Sequence, residues 1–277
     1  MAFDFNINVR RVSPIMNNTI IRTTSVLRLL AQHPDGLTIT EICKSLGLAK
    51  STVFDIVHTL EAEKYLEPSP SRPFAFRIGL DAFRIGYAYL QGANLDSVAR
   101  PILQELNRMV NETIFLAIRS GPSHFVYTMK FLSDAEFQTI YSVGAVRHLL
   151  STALGKAILA ALPNDQALIC VTPEMYADCS IPAIYDEASL LTFLDMSRKQ
   201  GYVIDDTSEN SHPARPVAAP LLDANNQVIG SISIVAMTAH TSDERVQELG
   251  RLAQSTALRI SKGLGYMKDD LYAFART

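Results

Sequence analysis

The sequence predicts an α/β protein of the α+β kind, built from a small N-terminal winged helix-turn-helix and a larger antiparallel-sheet domain with helices on its faces. Three observations carry this. Residues 39–64 read as two short amphipathic helices around Gly47, and a Pro-rich extended–turn–extended stretch, residues 65–77, follows them directly. Beyond residue 95, apolar strands alternate with helical periodicity. The chain has 277 residues, enough for two independent cores.

In chain order, Ile20 to Ala31 is a first helix, closed after Gln32 by His33–Pro34–Asp35–Gly36. In Ile39–Val53, Gly47 stands where the first helix of the pair must end and reverse within a few residues, which calls for positive φ. Ser51 or Thr52 is the expected N-cap of a second helix running to about Lys64. At about 100° per residue, Val53, Ile56, Val57 and Leu60 share one face. Ser51, Asp55, His58 and Ala62 share the other, with Phe54 and Thr59 on its flanks. An ordinary solvated helix has the same pattern, but a wing after it is specific to a DNA-reading head. Glu63–Glu67 leads through Pro68, Pro70, Ser71 and Pro73 into Phe74–Arg77, the extended–turn–extended order of such a wing. Ser51, Thr52, Asp55 and His58 are therefore expected at the major groove, with Lys50 and Arg72 on phosphates.

Leu80, Phe83, Tyr87 and Leu90 recur at helical spacing on a linker helix closed by Gly92–Ala93–Asn94. This stripe packs either on its own domain or on a second copy of the chain. Leu95 to about Asn111 forms the next helix, with Pro101 near its first turns, where a missing N–H costs least. Strands are expected at Thr113–Arg119, His124–Lys130 and Phe137–Val143, then helices at about 152–162, 164–170 and 186–200. Tyr202–Asp206 is a short strand, Pro216–Asp223 and Gln227–Met237 flank an Asn-rich hairpin turn, and a last helix covers about 242–264.

Composition sets limits on function. Apolar residues make up 48% and charged residues 19%, an ordinary globular balance, and the net charge is −3. Residues 1–80 hold nine Lys/Arg against seven Asp/Glu, a net of +2, and the remainder nets −5. A mildly basic head of this kind implies modest non-specific DNA affinity and a need for avidity. Three cysteines, no signal-like apolar run and no span-length apolar stretch point to a cytoplasmic protein with no membrane partner.

No constellation for catalysis is legible, and neither a cofactor nor a metal is expected. Ser151–Lys156 lacks both the glycine and the hydroxyl of a phosphate loop, having Leu150 and Ala157 in their places. What remains is a Ser/Thr-capped helix start whose free N–H groups could hold a carboxylate. Cys170, Cys179 and His212 make no convincing metal spacing. In Gly230–Ala236, Ser231, Ser233 and Val235 alternate with Ile232, Ile234 and Ala236. The two hydroxyls line a polar pocket or bond to a covering helix.

Several stretches together resemble the IclR-type bacterial transcriptional regulators, over about residues 19–266: Gly36–Thr38, Leu46–Val53, Leu60–Leu66, Val98–Leu103, Thr152–Ala157, Gly201–Tyr202, Ala218–Pro220 and Ser231–Val235. The resemblance implies a non-enzymatic regulator that binds an operator duplex, forms dimers or tetramers, and carries a GAF-like domain for a small metabolite, often a carboxylate. On that basis the expected organisation is an extension at 1–18, the head at 19–78, a linker helix at 79–94 and the effector domain at 95–277. The resemblance points to Ala153, Leu154, Asp206, Pro216, Ser233 and Val235 as the effector site. Pro216 and Val235 stand where the family often has Cys and Ser, which implies a more apolar pocket suited to an aromatic or branched acid. The competing reading is an enzyme, with the α+β domain catalytic and the head a targeting module.

Overall fold

The computed structural model describes residues 17–92, 95–134, 141–206, 214–237 and 241–275, with backbone alone for 87–92 and 237. The chain divides into two compact units between Ala88 and Tyr89. That boundary falls inside the linker helix.

In the first unit, α1 (Asn18–Ala31), α2 (Ile39–Leu46) and α3 (Lys50–Ala62) pack around Val26, Leu30, Ile42, Val53 and Val57. The start of α2 is fixed by a capping box: the Glu41 carboxylate accepts from the Thr38 N–H at 2.7 Å, and the Glu41 N–H donates to Thr38 Oγ1 at 3.3 Å. Gly47 ends α2 at φ 65° with open space around its Cα, so the backbone conformation and not crowding calls for glycine. Strands β1 (Leu37–Thr38), β2 (Leu66–Pro68) and β3 (Ala75–Ile78) form a sheet in the order β1-β3-β2, in which β2 and β3 are the wing. Helix α4 (Leu80–Gly92) follows.

The second unit holds α5 (Leu95–Val110), β4 (Thr113–Ser120), β5 (His124–Phe131), β6 (Val146–His148), α6 (Ala153–Ala160), α7 (Asn164–Ile169), α8 (Glu187–Gln200), β7 (Val203–Ile204), β8 (Ala214–Leu222), β9 (Val228–Met237) and α9 (Asp243–Gly263). Its six strands are antiparallel in the order β6-β5-β4-β9-β8-β7, so the hairpin β8–β9 is inserted beside β4. Helix α6 covers the face that carries Ser231, whose hydroxyl donates to the Leu154 carbonyl at 2.9 Å. Helix α9 covers the other face, where Arg215 of β8 pairs with Asp243 at 2.7 Å. Gly155 lets α6 settle onto the chain before it, since a Cβ there would sit 2.2 Å from the Leu149 carbonyl oxygen. The far end of α6 is closed by the buried Arg198, which donates to the Ala160 and Leu162 carbonyls, each at 2.8 Å.

Three expectations need correcting. The strand after β5 is Val146–His148: residues 141–143 are not extended in a ladder, and 137–140 lie outside the described residues. Pro101 lies in the second turn of α5, exposed, beyond the first-turn positions where a missing N–H is free of cost. Helix α3 begins at Lys50, so Ala49 and not Ser51 or Thr52 is its N-cap. Of the expected extension at 1–18, residues 1–16 are outside the described residues. No helix among the described residues is long and apolar enough to cross a membrane.

Candidate nucleic-acid interface and effector pocket

On α3, Val53, Ile56, Val57 and Leu60 are buried, while Lys50, Ser51, Asp55, Phe54 and Thr59 are exposed. Thr52 and His58 are half-buried. With no side-chain cap at Ala49, the first-turn N–H groups of α3 lie beside Lys50, a positive end suited to a phosphate. The His58 ring sits between Phe54, 4.2 Å away, and Phe76 of β3, 5.6 Å away, with its Nδ1 2.9 Å from Glu61. This contact sets Phe76 of the wing beside the C-terminal half of α3.

Arg72, expected on a phosphate, is half-exposed and already paired within the head. Its guanidinium donates to the Gly36 carbonyl at 2.5 Å and to Glu41 Oε1 at 2.7 Å, and so clamps the wing to α2. The bond from the Thr38 N–H, then those from Arg72 and the Thr38 hydroxyl, hold the Glu41 carboxyl at about 2.

In the second unit, cross-strand register sorts the residues by face, because directly paired residues point the same way. Val235 pairs with Pro216 and Thr113, and Ser233 with Ala218 and Phe115. All of these lie on the α6 face with Ser231. Ala153 and Leu154 open α6 above them, both buried. Five of the six expected effector residues thus converge on the space between α6 and the sheet.

Asp206 is the exception. It is turned to the α9 side, where its carboxylate lies 2.9 Å from the Arg215 guanidinium. The neighbouring Asp205 takes the inward place, because adjacent residues of an extended chain face opposite ways. Asp205 is 1% exposed and accepts from Lys156 Nζ at 2.9 Å and from Ser180 Oγ at 2.7 Å, both on Oδ2. Lys156 is fully buried and also bonds Ser180. Asp205 Oδ1 is buried with no hydrogen-bond partner among the described residues. Thr152 Oγ1 is in the same condition. The Tyr127 hydroxyl is near enough to feel the Thr152 dipole, but no bond of normal geometry forms.

The other wall comes from β4 and β5. The register shifts between Leu116 and Ala117, so that Lys130 pairs with Phe115 but Tyr127 with Ala117. Residues 127 and 130, which a regular strand would send to opposite faces, therefore share the α6 face. Tyr127 packs edge-on to Phe115 with centroids 5.1 Å apart and stacks on Tyr141 at 5.3 Å. Lys130 Nζ lies 5.6 Å from the Phe115 ring centre and donates to the Tyr141 carbonyl at 3.0 Å. Burial raises the Tyr127 hydroxyl above its usual range and lowers His148 below its own. Of the further residues on this face, a period-two reading of Thr113–Phe115–Ala117 reaches Phe115, the bulge hides Tyr127 and Lys130, and only the fold brings Lys156, Ser180 and Asp205 together.

Cys43, Cys170 and Cys179 are unpaired, and no group of metal-type ligands occurs among the described residues. Comparison with known proteins agrees with both units. The IclR helix-turn-helix domain matches residues 19–70, and the C-terminal domain of the bacterial transcriptional regulator IclR matches 87–262. The regulator BhcR of Paracoccus denitrificans is 32% identical over 255 residues, covering 90% of this chain and 88% of that protein. In fold, the IclR regulator of Alicyclobacillus acidocaldarius superposes with a TM-score of 0.76 at 21% identity, over 91% of this chain and 100% of that one. An IclR homologue of Microbacterium hydrocarbonoxydans, solved with 4-hydroxybenzoate, does so at 0.72 and 18%, over 88% and 99%. With its winged head, its curled antiparallel effector domain and these matches along nearly its whole length, the chain belongs to the IclR family of DNA-binding bacterial transcriptional regulators.

Proposed function

We propose that this regulator's grip on its operator is tuned by a hydroxylated aromatic acid held between α6 and the sheet. The observation that carries this is a pair of buried polar atoms with no hydrogen-bond partner among the described residues, Asp205 Oδ1 and Thr152 Oγ1, near the aromatic wall. Buried polar groups are normally satisfied, and an acceptor-only carboxylate oxygen wants a donor such as a ligand hydroxyl. Lys156 neutralises Asp205, and Lys130 lies beside Phe115 on the same wall, within reach of a ligand carboxylate. The N–H groups at the start of α6, with no side-chain cap from Thr152, also favour a carboxylate. Phe115 and Tyr127 offer the ring a flat apolar surface, and Pro216 and Val235 add neither donor nor hydroxyl. The homologue bound to 4-hydroxybenzoate has a ligand of this chemistry.

Ser51, Asp55 and His58 would read bases and Lys50 a phosphate, with Asp55 accepting from cytosine N4. The exposed Leu80 and Phe83 on α4 are too apolar for a solvated linker and would pair two copies of the chain, so that two heads meet a two-fold operator. Effector binding would then favour one placement of the linker helices and hence one spacing of the heads.

The test combines gel retardation of the DNA upstream of the protein's own gene with calorimetry of 4-hydroxybenzoate, benzoate and 4-hydroxybenzyl alcohol. The first should bind most tightly, loss of either polar group should cost about tenfold or more, and binding should alter retardation without consuming the ligand. Equal affinity for all three, or turnover, would overturn the proposal.

A further inference from the structure

We propose that Phe74, at the tip of the wing, is a wedge that enters the minor groove and prises open a base step of bound DNA. Phe74 is 90% exposed, whereas Phe76, two residues on, packs against His58 of α3. A single exposed apolar side chain would need no explanation. Here the backbone is also unusual: Phe74 is held at φ 60°, in the left-handed region that bulky L-residues avoid. Such strain persists where the surroundings enforce it, and an observed outlier of this kind points to function.

The surroundings do enforce it. The Ala75 carbonyl accepts from the Ser69 N–H at 2.8 Å, and the Ala75 N–H donates to the Arg72 carbonyl at 3.3 Å, which closes the tip on both sides of Phe74. Arg72 ties the tip to Gly36 and Glu41, and the Ser69 hydroxyl ties it to the Asp35 carbonyl at 2.7 Å. Pro70 and Pro73 restrict φ within the same turn. The mount is rigid and the group it presents is an aromatic ring.

Charge narrows the partner to DNA bases rather than phosphates. The wing has two arginines, and both are paired, Arg72 with Glu41 and Arg77 with Glu67 at 2.6 Å. Its tip residues Ser69 to Phe74 carry no other charge. A wing built to clamp phosphates would present a free cation, and this one presents Phe74. Phe76 of the wing packs beside His58 of α3, so a duplex read by α3 in its major groove brings the adjacent minor groove toward the tip. Apolar wedges of Phe, Leu or Met are the side chains that kink DNA from that groove.

The inference rests on the DNA-reading head and is separable from it. A duplex is first selected from a random-sequence pool by the full-length protein, and its bend is measured by circular-permutation electrophoresis and by energy transfer between dyes on its ends. The parent should bend it by about 20° or more. Phe74→Ala should straighten the complex and weaken binding on the order of tenfold, with the same preferred sequence and an unchanged urea midpoint, and Phe74→Leu should retain most of the bend. A parent complex that is straight, or a Phe74→Ala complex bent and bound like the parent, overturns the wedge alone. Failure of the parent to select any duplex overturns the DNA-reading assignment of the head as well.

Discussion

Replacing Lys156 by methionine should cost this protein about 3–5 kcal/mol of stability, the usual consequence of stripping one partner from a buried ion pair. The two side chains are 0% and 1% exposed and their charged atoms lie 2.9 Å apart. At that separation and an effective dielectric constant of ~20, the attraction is about 6 kcal/mol, set against the cost of taking both charges out of water. Methionine fills nearly the same space, so the loss is electrostatic and leaves no large cavity. The Asp205 carboxylate would then keep the Ser180 hydroxyl as its donor while remaining fully buried. Adding Asp205→Asn removes the stranded charge and should return most of the stability, leaving the double variant about 1–2 kcal/mol below the parent. Urea unfolding followed by circular dichroism reads this out, since the chain has no Trp for fluorescence. At a slope of about 2–3 kcal/mol/M the Lys156→Met midpoint should fall by about 1–2 M. A loss under about 1 kcal/mol, or a double variant no more stable than the single one, would refute the reasoning.

Further outcomes follow from the two sites. Lys130→Met should weaken 4-hydroxybenzoate binding by about tenfold or more in calorimetry, whereas Asp206→Ala, on the α9 side of the sheet, should leave it unchanged. Lys50→Ala should weaken binding to all DNA sequences alike and reduce the salt slope by about one, as measured by anisotropy at several ionic strengths. Because the folded Glu41 carboxyl sits at about 2 instead of 4.5, its stabilisation is complete above pH 4.5 and is lost as pH falls toward 2. The parent should therefore exceed Glu41→Gln in stability at pH 7, with the gap closing across that window. Light scattering should show the parent as a dimer or larger, and Phe83→Asp should shift it toward monomer.

Much of the fold was present in local pattern. Helix α3 was legible because Val53, Ile56, Val57 and Leu60 recur at helical period and all four are buried. Gly47, the Thr38–Glu41 box and the proline-rich wing announce their turns through chemistry confined to a few residues. The inward face of β9 was equally readable, since alternation is a property of the strand alone, and Ser231, Ser233 and Val235 lie where it sends them. What the sequence could not determine is which distant groups meet. Asp205 and Asp206 are adjacent carboxylates on a short strand, and only the positions of Lys156, forty-nine residues away, and of Arg215 decide which is buried and which is spent on the far side. That Arg72 meets Glu41 and Gly36 across more than thirty residues is likewise decided only by the fold. Tyr127 and Lys130 share a wall only because one register shift on β4 and β5 breaks the period of two. Periodicity and capping depend on neighbours within a turn or two, so the chain carries them by itself. Charge pairing, burial and bulges depend on what packs from elsewhere, and the tertiary structure alone decides them.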